Sequence, residues 1–137
     1  MYSKIIQVVI ADDNKDFNDI LSEYLNYQNG IEVIGTAFNG VDAVDLIISK
    51  EPDVVILDII MPKLNGIEVL ARVNSIQLKK KPLFIMLSAL GNDKTTQQAL
   101  DIGAECYIVK PFDMDILVNK IYQVHSSNQH VMWRMER

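Results

Sequence analysis

The sequence Val-Val-Ile-Leu-Asp at residues 54–58 decides the fold class, because a fully apolar run is followed at once by a carboxylate. A strand with no polar position is expected where both faces of a sheet are covered, as in a parallel sheet flanked by helices. Further short apolar runs lie at residues 6–11, 31–37, 83–87 and 106–109. We therefore predict a five-stranded sheet.

Segments with a helical period separate these runs. Apolar residues at i, i+3, i+4, i+7 and i+8 mark one face of an amphipathic helix. The first segment has its apolar face at Phe17, Ile20, Leu21, Tyr24 and Leu25, and the second at Val41, Val44, Ile47 and Ile48. Further helices are predicted at residues 64–73, at residues 92–102 and from residue 113 onward. Strict alternation of strand and helix predicts an α/β protein with helices on both faces of a parallel sheet.

Length and composition indicate one domain with an ordinary core. The chain has 137 residues and a formal net charge of −5, which argues mildly against nucleic acid as a direct partner. The helical period dissolves near residue 126, so we expect a domain over residues 1–125 and the start of a linker or tail over residues 126–137. Cys106 is the only cysteine, and the first apolar run is too short to span a bilayer. A cytoplasmic protein that does not contact membranes is expected.

Reactive side chains come at the ends of four of the five apolar runs. Asp12 and Asp13 follow the first run, Asp58 the third, Ser88 the fourth and Lys110 the fifth. In an open parallel sheet, ligands bind outside the carboxyl ends of the strands, where the strand order reverses. Taken singly, these residues could be helix caps, turn residues or solvated charges. Together they predict one site, because carboxylates gathered at one edge repel one another unless a cation neutralises them.

The oxygen-rich donor set favours Mg²⁺, or another hard divalent cation such as Mn²⁺ or Ca²⁺. No His or Cys lies near these motifs, which argues against a zinc site. Asp58 would then be a carboxylate nucleophile of the kind that forms an aspartyl-phosphate, while Lys110 and Ser88 could hold the phosphoryl oxygens. A cis peptide between Lys110 and Pro111 would aim the ammonium at the carboxylates, although trans is the commoner form of an X–Pro bond.

The combined motifs resemble the signature of response-regulator receiver domains over roughly residues 4–124. The matching segments are Asp12-Asp13, Leu57-Asp58-Ile59-Ile60-Met61-Pro62 with Gly66, Ser88-Ala89 and Lys110-Pro111-Phe112. This resemblance implies a flavodoxin-like, doubly wound (βα)5 fold with strand order 2-1-3-4-5. It also implies transfer of a phosphoryl group to Asp58 from a phosphohistidine on a phosphotransferase or histidine kinase.

The resemblance further implies a metal-ligand set. In the family pattern, Asp13, Asp58 and the backbone carbonyl of Ile60 ligate Mg²⁺, and Asp12 acts through a coordinated water. Asn65 stands where many members have Asp, at a position outside the reaction centre.

Ser88 and Tyr107 match the switch pair of this family, in which the hydroxyl moves to the phosphate and the aromatic ring turns inward. A phosphate with different affinity for two arrangements biases the equilibrium between them. We expect the fourth helix, the fifth strand and the fifth helix to respond, and phosphorylation to favour a homodimer through that face. The alternative for Tyr107 is an ordinary core aromatic.

A closer likeness is to receivers of the sporulation-regulator type from endospore-forming bacteria. It rests on segments such as residues 11–14, 22–25, 32–35, 58–62 and 110–114. It implies that a full-length protein would control transcription through a C-terminal DNA-binding effector fed by a phosphorelay. Because we see no such effector in this chain, the domain alone is not expected to bind DNA.

Three other classes of function compete with this interpretation. A haloacid-dehalogenase-like phosphohydrolase would carry a second Asp two positions after the nucleophile, where this chain has Ile60. A nucleotide or flavin module would carry a glycine-rich phosphate loop, and the first strand–helix turn is acidic instead. A degenerate receiver would lack part of the acidic, hydroxyl and lysine set. We therefore expect a signalling domain that assists its own phosphorylation and dephosphorylation, not a turnover enzyme.

Overall fold

The computed structural model describes residues 4–89 and 94–135, with side chains described up to residue 127. The strands are β1 (Ile6–Ala11), β2 (Ile31–Ala37), β3 (Val54–Asp58), β4 (Leu83–Ser88) and β5 (Cys106–Val109). The helices are α1 (Lys15–Asn26), α2 (Gly40–Lys50), α3 (Gly66–Asn74), α4 (Lys94–Asp101) and α5 (Met114–Met135). Strand and helix alternate along the chain, as the sequence predicts.

The five strands form one parallel sheet in the order β2-β1-β3-β4-β5. The prediction of a flavodoxin-like, doubly wound sheet is confirmed. In the register of the sheet, Ile56 of β3 lies between Ile10 of β1 and Ile85 of β4. The chain winds in opposite directions on the two sides of the β1–β3 pair, so the strand order reverses at that point. Ligands of such sheets bind at the carboxyl ends of the strands beside this reversal.

Two hydrophobic clusters cover the two faces of the sheet, and alternation along β3 assigns its residues to them. Val55 and Leu57 belong to the cluster that contains α2 and α3, whereas Val54 and Ile56 belong to the cluster that contains α1 and α5. All four side chains are fully buried. Full burial of an aliphatic side chain contributes about 1.5–3 kcal/mol, which explains why this strand has no polar position before Asp58.

The helices bury narrower stripes than the sequence predicts. Ile20 of α1, Val41 of α2 and Ile48 of α2 were assigned to inner faces, yet they are 59%, 40% and 39% exposed. A helix touches a sheet along one strip of its surface, so residues such as Leu21 of α1 fill that strip and their flanking neighbours stay in water. Periodicity identifies the face correctly and overestimates its width.

The last helix runs through Met135, beyond the point near residue 126 where the helical period of the sequence dissolves. Residues 126–135 contain no Gly or Pro, and a weak apolar pattern alone does not end a helix. The predicted start of α4 at Asn92 lies outside the described residues. Within the described part of the chain, no helix is both long and apolar enough to cross a membrane.

Candidate functional site

Two neighbouring strands bring three carboxylates together at the carboxyl edge of the sheet. β1 ends at Ala11, just before Asp12 and Asp13, and Ala11 pairs with Leu57, the residue before Asp58. One carboxylate oxygen from each of these three aspartates lies within 4.8 Å of the other two. Asp12 is fully buried and Asp58 is 9% exposed, while Asp13 faces solvent. The geometry thus concentrates negative charge at the point where the strand order reverses.

Lys110 reaches this cluster from the residue after β5. Its ammonium nitrogen donates to Asp12 Oδ2 at 2.6 Å and to Asp58 Oδ2 at 3.1 Å. The Lys110–Pro111 peptide bond is cis, the less common of the two forms that the sequence left open. One lysine therefore pairs with two of the three carboxylates.

The shared lysine leaves the carboxylates incompletely neutralised. Burial, and then the negative charge of Asp12, raise the pKa of Asp58 to about 6, against the opposing effects of Lys110 and the Ile60 N–H. Burial by itself would lower the pKa of Lys110, but its hydrogen bond to Asp12 and the charge of Asp58 raise that pKa. Neighbouring negative charge raises both pKa values, and burial adds to this effect at Asp58 and opposes it at Lys110. A further cation at this edge would be stabilised.

The helix-cap alternative does not account for Asp12 or Asp13. The N-cap of α1 is Asn14, whose side-chain oxygen accepts the Phe17 N–H at 3.0 Å. Asp12 Oδ1 instead accepts the Asn14 N–H at 2.9 Å, which leaves Oδ2 for Lys110. Because α1 has its own cap, the paired aspartates are not required to satisfy its first backbone N–H groups.

A hard divalent cation fits this donor set. Mg²⁺ takes oxygen ligands in an octahedron at about 2.0–2.1 Å, so opposite ligands lie about 4.2 Å apart. The three carboxylate oxygens, all within 4.8 Å of one another, span a space of that size. Ile60, the predicted donor of a backbone carbonyl, lies two residues after Asp58, and its N–H donates to Asp58 Oδ1 at 3.2 Å. The side chain of Ile60 is 71% exposed.

Gly66, at the start of α3, allows a close approach to the backbone of the acceptor loop. A Cβ atom at this position would lie 2.5 Å from the Asp58 carbonyl oxygen and 2.8 Å from Ile59 Cα. The Gly66 N–H donates to the Ile59 carbonyl at 2.7 Å. The preceding Asn65 is the N-cap of α3 and forms a capping box with Glu68. Asn65 therefore has a structural role, consistent with its assignment outside the reaction centre.

Ser88 lies at the same edge, and its hydroxyl contacts α4. It is the last residue of β4, it is 3% exposed, and its Oγ lies 2.9 Å from the Oγ1 of Thr96. Thr96 is 1% exposed, although α4 is a polar helix. Sequence reasoning missed this threonine, because a hydroxyl on a polar helix gives no periodic signal. Tyr107 of β5 is half-buried and packs against the cluster that covers this face of the sheet.

An aromatic pair borders the site, and sequence reasoning assigned Phe17 only to a helix face. The Lys110 ammonium lies 4.7 Å from the centroid of the Phe17 ring. That ring meets Phe112 edge to face, with centroids 6.2 Å apart and planes at 89°. Together with Asn14 and Pro111, these residues line a cleft of about 390 Å³ next to the carboxylates.

Comparison with known families gives a match over most of the chain. The family model described as the response regulator receiver domain matches residues 8–122. This segment contains all five strands except the first two residues of β1, as well as the four acidic and basic residues that meet at the carboxyl edge.

Solved structures of similar sequence share the fold. The response regulator domain of Thermotoga maritima CheB is 32% identical, with a TM-score of 0.81, over 90% of this chain and 98% of that one. CheY in a CheX-CheY-BeF3-Mg complex from Borrelia burgdorferi is 33% identical, with a TM-score of 0.75, and the match covers 87% of this chain and 88% of that one. A LuxR-family DNA-binding response regulator from Staphylococcus aureus is 27% identical, with a TM-score of 0.82, and the match covers 88% of this chain and 99% of that one.

Proposed function

This chain belongs to the response-regulator receiver domain family, and from that premise we propose that it is a phosphoacceptor switch in which Asp58 receives a phosphoryl group from a phosphohistidine on a partner protein. The observation that carries the proposal is the meeting of three carboxylates within 4.8 Å, two of which share the ammonium of Lys110. A structural ion pair would balance its charges. This cluster retains negative charge that a cation can neutralise, and the neutralised site can then accept an anionic phosphoryl group.

The acceptor is the Asp58 carboxylate, whose Oδ2 attacks the phosphorus while the bond from phosphorus to the donor nitrogen breaks. With a pKa of about 6, this group is mostly ionised at neutral pH, as a nucleophile must be. Lys110 donates to Asp58 Oδ2 at 3.1 Å in the unphosphorylated arrangement. Its ammonium can turn from that oxygen to a phosphoryl oxygen as charge moves there during transfer.

We assign the metal ligands as Asp13, Asp58 and the Ile60 carbonyl, with Asp12 acting through a water. A bound Mg²⁺, or Mn²⁺ or Ca²⁺ in its place, supplies positive charge beside the transferred phosphoryl oxygens. One relative is described as a complex with BeF3 and Mg²⁺, which supports a divalent cation as a ligand of this chain. Asp12 also orders the loop, because its Oδ1 accepts the Asn14 N–H.

The phosphate would act as a switch through Ser88 and Tyr107. The Ser88 hydroxyl, now 2.9 Å from Thr96 Oγ1, would turn toward the phosphoryl oxygens. Thr96 would then lose this contact, so that α4 responds together with β5, from which the Tyr107 ring turns inward. A phosphate that interacts differently with two arrangements shifts the population between them, typically by about 1–3 kcal/mol. We propose that the new arrangement favours a homodimer through α4, β5 and α5.

We also propose a setting for this switch. The domain assists its own phosphorylation and dephosphorylation without turning over a small substrate, and it acts in the cytoplasm without binding nucleic acid or membrane by itself. In a full-length protein it would control a C-terminal DNA-binding effector of the sporulation type, fed by a phosphorelay. The motifs at residues 11–14 and 110–114 support this setting, and one relative is a DNA-binding response regulator. Faster phosphotransfer from a sporulation phosphotransferase than from a chemotaxis kinase would test it.

Intact mass spectrometry tests the central proposal. We expect acetyl phosphate with Mg²⁺ to add one labile phosphoryl group to the wild type, and chelation of the metal to prevent this. Asp58→Asn should take none, because an amide is not a nucleophile here. Asp53→Asn is the matched control, since it removes a carboxylate at the opposite edge of the sheet, and it should react like the wild type. A stable adduct on Asp58→Asn would contradict the assignment of the acceptor.

Sedimentation tests the proposed dimer separately. The domain saturated with beryllofluoride and Mg²⁺ should sediment as a dimer at concentrations where the untreated domain is a monomer. Identical sedimentation in both states would rule out dimerisation as the output, while it would leave the phosphoacceptor assignment intact.

A further inference from the structure

The Lys110 ammonium has an aromatic neighbour as well as its two carboxylates. Its nitrogen lies 4.7 Å from the centroid of the Phe17 ring, while it donates to Asp12 at 2.6 Å and to Asp58 at 3.1 Å. A cation within about 6 Å of a ring centroid is attracted by the negative face of the ring. The lysine is thus shared between an aromatic face and the acceptor site.

Two elements hold the Phe17 ring in place. The Phe17 backbone N–H donates to the Asn14 side chain at 3.0 Å, which anchors the residue in the first turn of α1. The ring itself packs edge to face on Phe112, which lies two residues beyond Lys110. The ring is therefore fixed both to the helix after β1 and to the segment that carries the lysine, so that its position relative to Lys110 is well defined.

We infer that Phe17 is a positioning residue for phosphoryl transfer, and that its ring keeps the Lys110 ammonium at the acceptor while the ammonium moves from Asp58 to the incoming phosphoryl oxygen. This inference rests on the proposed function. When Asp58 Oδ2 bonds to phosphorus, it loses its charge and holds the ammonium less strongly. The ring offers a broad attraction without directional hydrogen bonds, and this attraction persists throughout the movement.

Without such a ring, the Lys110 ammonium would be more exposed to water. A lysine carries its charge on a flexible four-carbon stem, and the Lys110 side chain is already 29% exposed beside an open cleft. If Phe17 were aliphatic, the stem would still find an apolar surface, but the ammonium would spend more time in the cleft. The reaction is slower when a catalytic group is correctly placed for a smaller fraction of the time.

The test compares three variants with the wild type. Phe17→Leu keeps an apolar side chain and removes the ring, Phe17→Tyr keeps the ring, and Tyr27→Leu removes an exposed aromatic at the other end of α1. NMR chemical shifts of the Lys110 side-chain Cε–Hε group, assigned by comparison with Lys110→Arg, report the ring directly. We expect an upfield ring-current shift in the wild type, in Phe17→Tyr and in Tyr27→Leu, and its loss in Phe17→Leu.

Acetyl phosphate serves as the phosphodonor in the kinetic part, because it needs no docking surface. At saturating Mg²⁺, Phe17→Leu should form the adduct about 3- to 10-fold more slowly than the wild type. The Mg²⁺ concentration for half-maximal rate should stay the same, because the ring contacts the lysine and not the metal ligands. Phe17→Tyr should restore the rate, and Tyr27→Leu should react like the wild type.

Each of the other results would be decisive. A Lys110 signal unchanged in Phe17→Leu, or a Phe17→Leu protein that reacts as fast as the wild type, overturns the inference and leaves the proposed function standing. A slower Phe17→Leu reaction that Phe17→Tyr does not restore also overturns it, because packing alone would then be the cause. A wild type that forms no adduct overturns the proposed function and this inference with it.

Discussion

The two edges of the sheet each pair a lysine with a buried aspartate, and they do so with opposite consequences. At the amino edge, Asp53 accepts the Gln7 N–H at 2.8 Å and the Lys80 ammonium at 2.9 Å. Although burial favours a higher value, these two partners lower the pKa of Asp53. At the carboxyl edge, the pKa of Asp58 rises to about 6. The aspartate side chains are similarly exposed, at 10% and 12%.

Burial raises the pKa of both carboxyl groups, but it is outweighed at Asp53 by the two partners and reinforced at Asp58 by the charge of Asp12. Asp53 has a backbone N–H and a lysine, whereas Asp58 has the Ile60 N–H and shares one lysine with Asp12. Charge that is fully matched holds strands in register, and in this chain the Asp53 pairing joins β1 to the segment before β3. Charge that is left unmatched costs stability and is available to a ligand. The comparison shows that two aspartates with similar exposure differ in pKa, because the charges and hydrogen-bond donors around them differ.

The largest difference between the two edges should appear in the phosphorylation rate when the lysine at each edge is replaced. Lys110→Met should slow phosphorylation of the domain by acetyl phosphate about 100-fold or more, since loss of one preorganised donor commonly has an effect of that size. Lys80→Met should stay within about twofold of the wild type, because Lys80 pairs with Asp53 at the far edge of the sheet. Time courses of adduct formation by mass spectrometry give both rates. Equal slowing by the two variants would remove the functional distinction between the edges.

A pH titration of stability should separate the edges next, in metal-free buffer. The folded protein holds the Asp58 proton up to a pKa of about 6, and the unfolded chain releases it near 3.8. The free energy of unfolding should therefore fall by about 2–3 kcal/mol as the pH rises from 3.8 to 6, because the native state binds more protons in this window. For Asp53, whose pKa is lowered, stability is lost only as the pH falls below 3.8.

Urea denaturation of the wild type and Asp58→Asn across this range isolates the contribution of Asp58 from that of His125, whose pKa burial lowers. The difference between the two proteins should grow with pH up to about 6 and then level off. Saturating Mg²⁺ should abolish most of the slope in the wild type, because the ionised carboxylate then has a partner. A constant difference at every pH would contradict the charge imbalance inferred at the carboxyl edge.

The smallest effect should come from Asp53→Asn, when the two Asp→Asn substitutions are compared at neutral pH. Asp53→Asn should lower the free energy of unfolding by about 1 kcal/mol, because an amide can still accept the Gln7 N–H but loses the ion pair with a half-exposed lysine. Asp58→Asn should instead raise it in metal-free buffer. Thermal and urea denaturation measure both changes. Destabilisation by both variants would mean that the two aspartates are alike in function.

Most of the fold was predictable from sequence, since five mainly apolar runs alternate with helical periods. The ends of the elements and the width of their buried faces were less predictable. Helix α5 continues to Met135 in a segment without Gly or Pro, although the helical period of the sequence dissolves near residue 126. The exposed Ile20 and Val41 show that periodicity does not specify how wide a strip the sheet covers. Contact width depends on the neighbouring element, which a local pattern does not contain.

The sequence predicted which strand-end residues form the candidate site, but it did not predict which other side chains contact them. The residues at the strand ends were identifiable because parallel strands place their carboxyl ends at one edge. Two side chains that contact them, Phe17 and Thr96, were not identified as part of the site. A phenylalanine in a helical period is read as core, and a threonine in a polar helix gives no signal at all. The partner of Phe17 is Lys110, which is remote along the chain, and the partner of Thr96 is Ser88, which lies eight residues earlier on β4.

The sequence alone determined the alternation of elements, the buried strands and the set of acidic and basic residues at their ends, because these follow from local apolar periodicity and from the geometry of parallel sheets. Only the tertiary structure decided how charges are shared. It placed one lysine between Asp12 and Asp58, gave Asp53 partners of its own and set the Phe17 ring against Lys110. The physical reason is that pKa values and ion contacts depend on distances between residues that are remote along the chain, and folding alone fixes those distances.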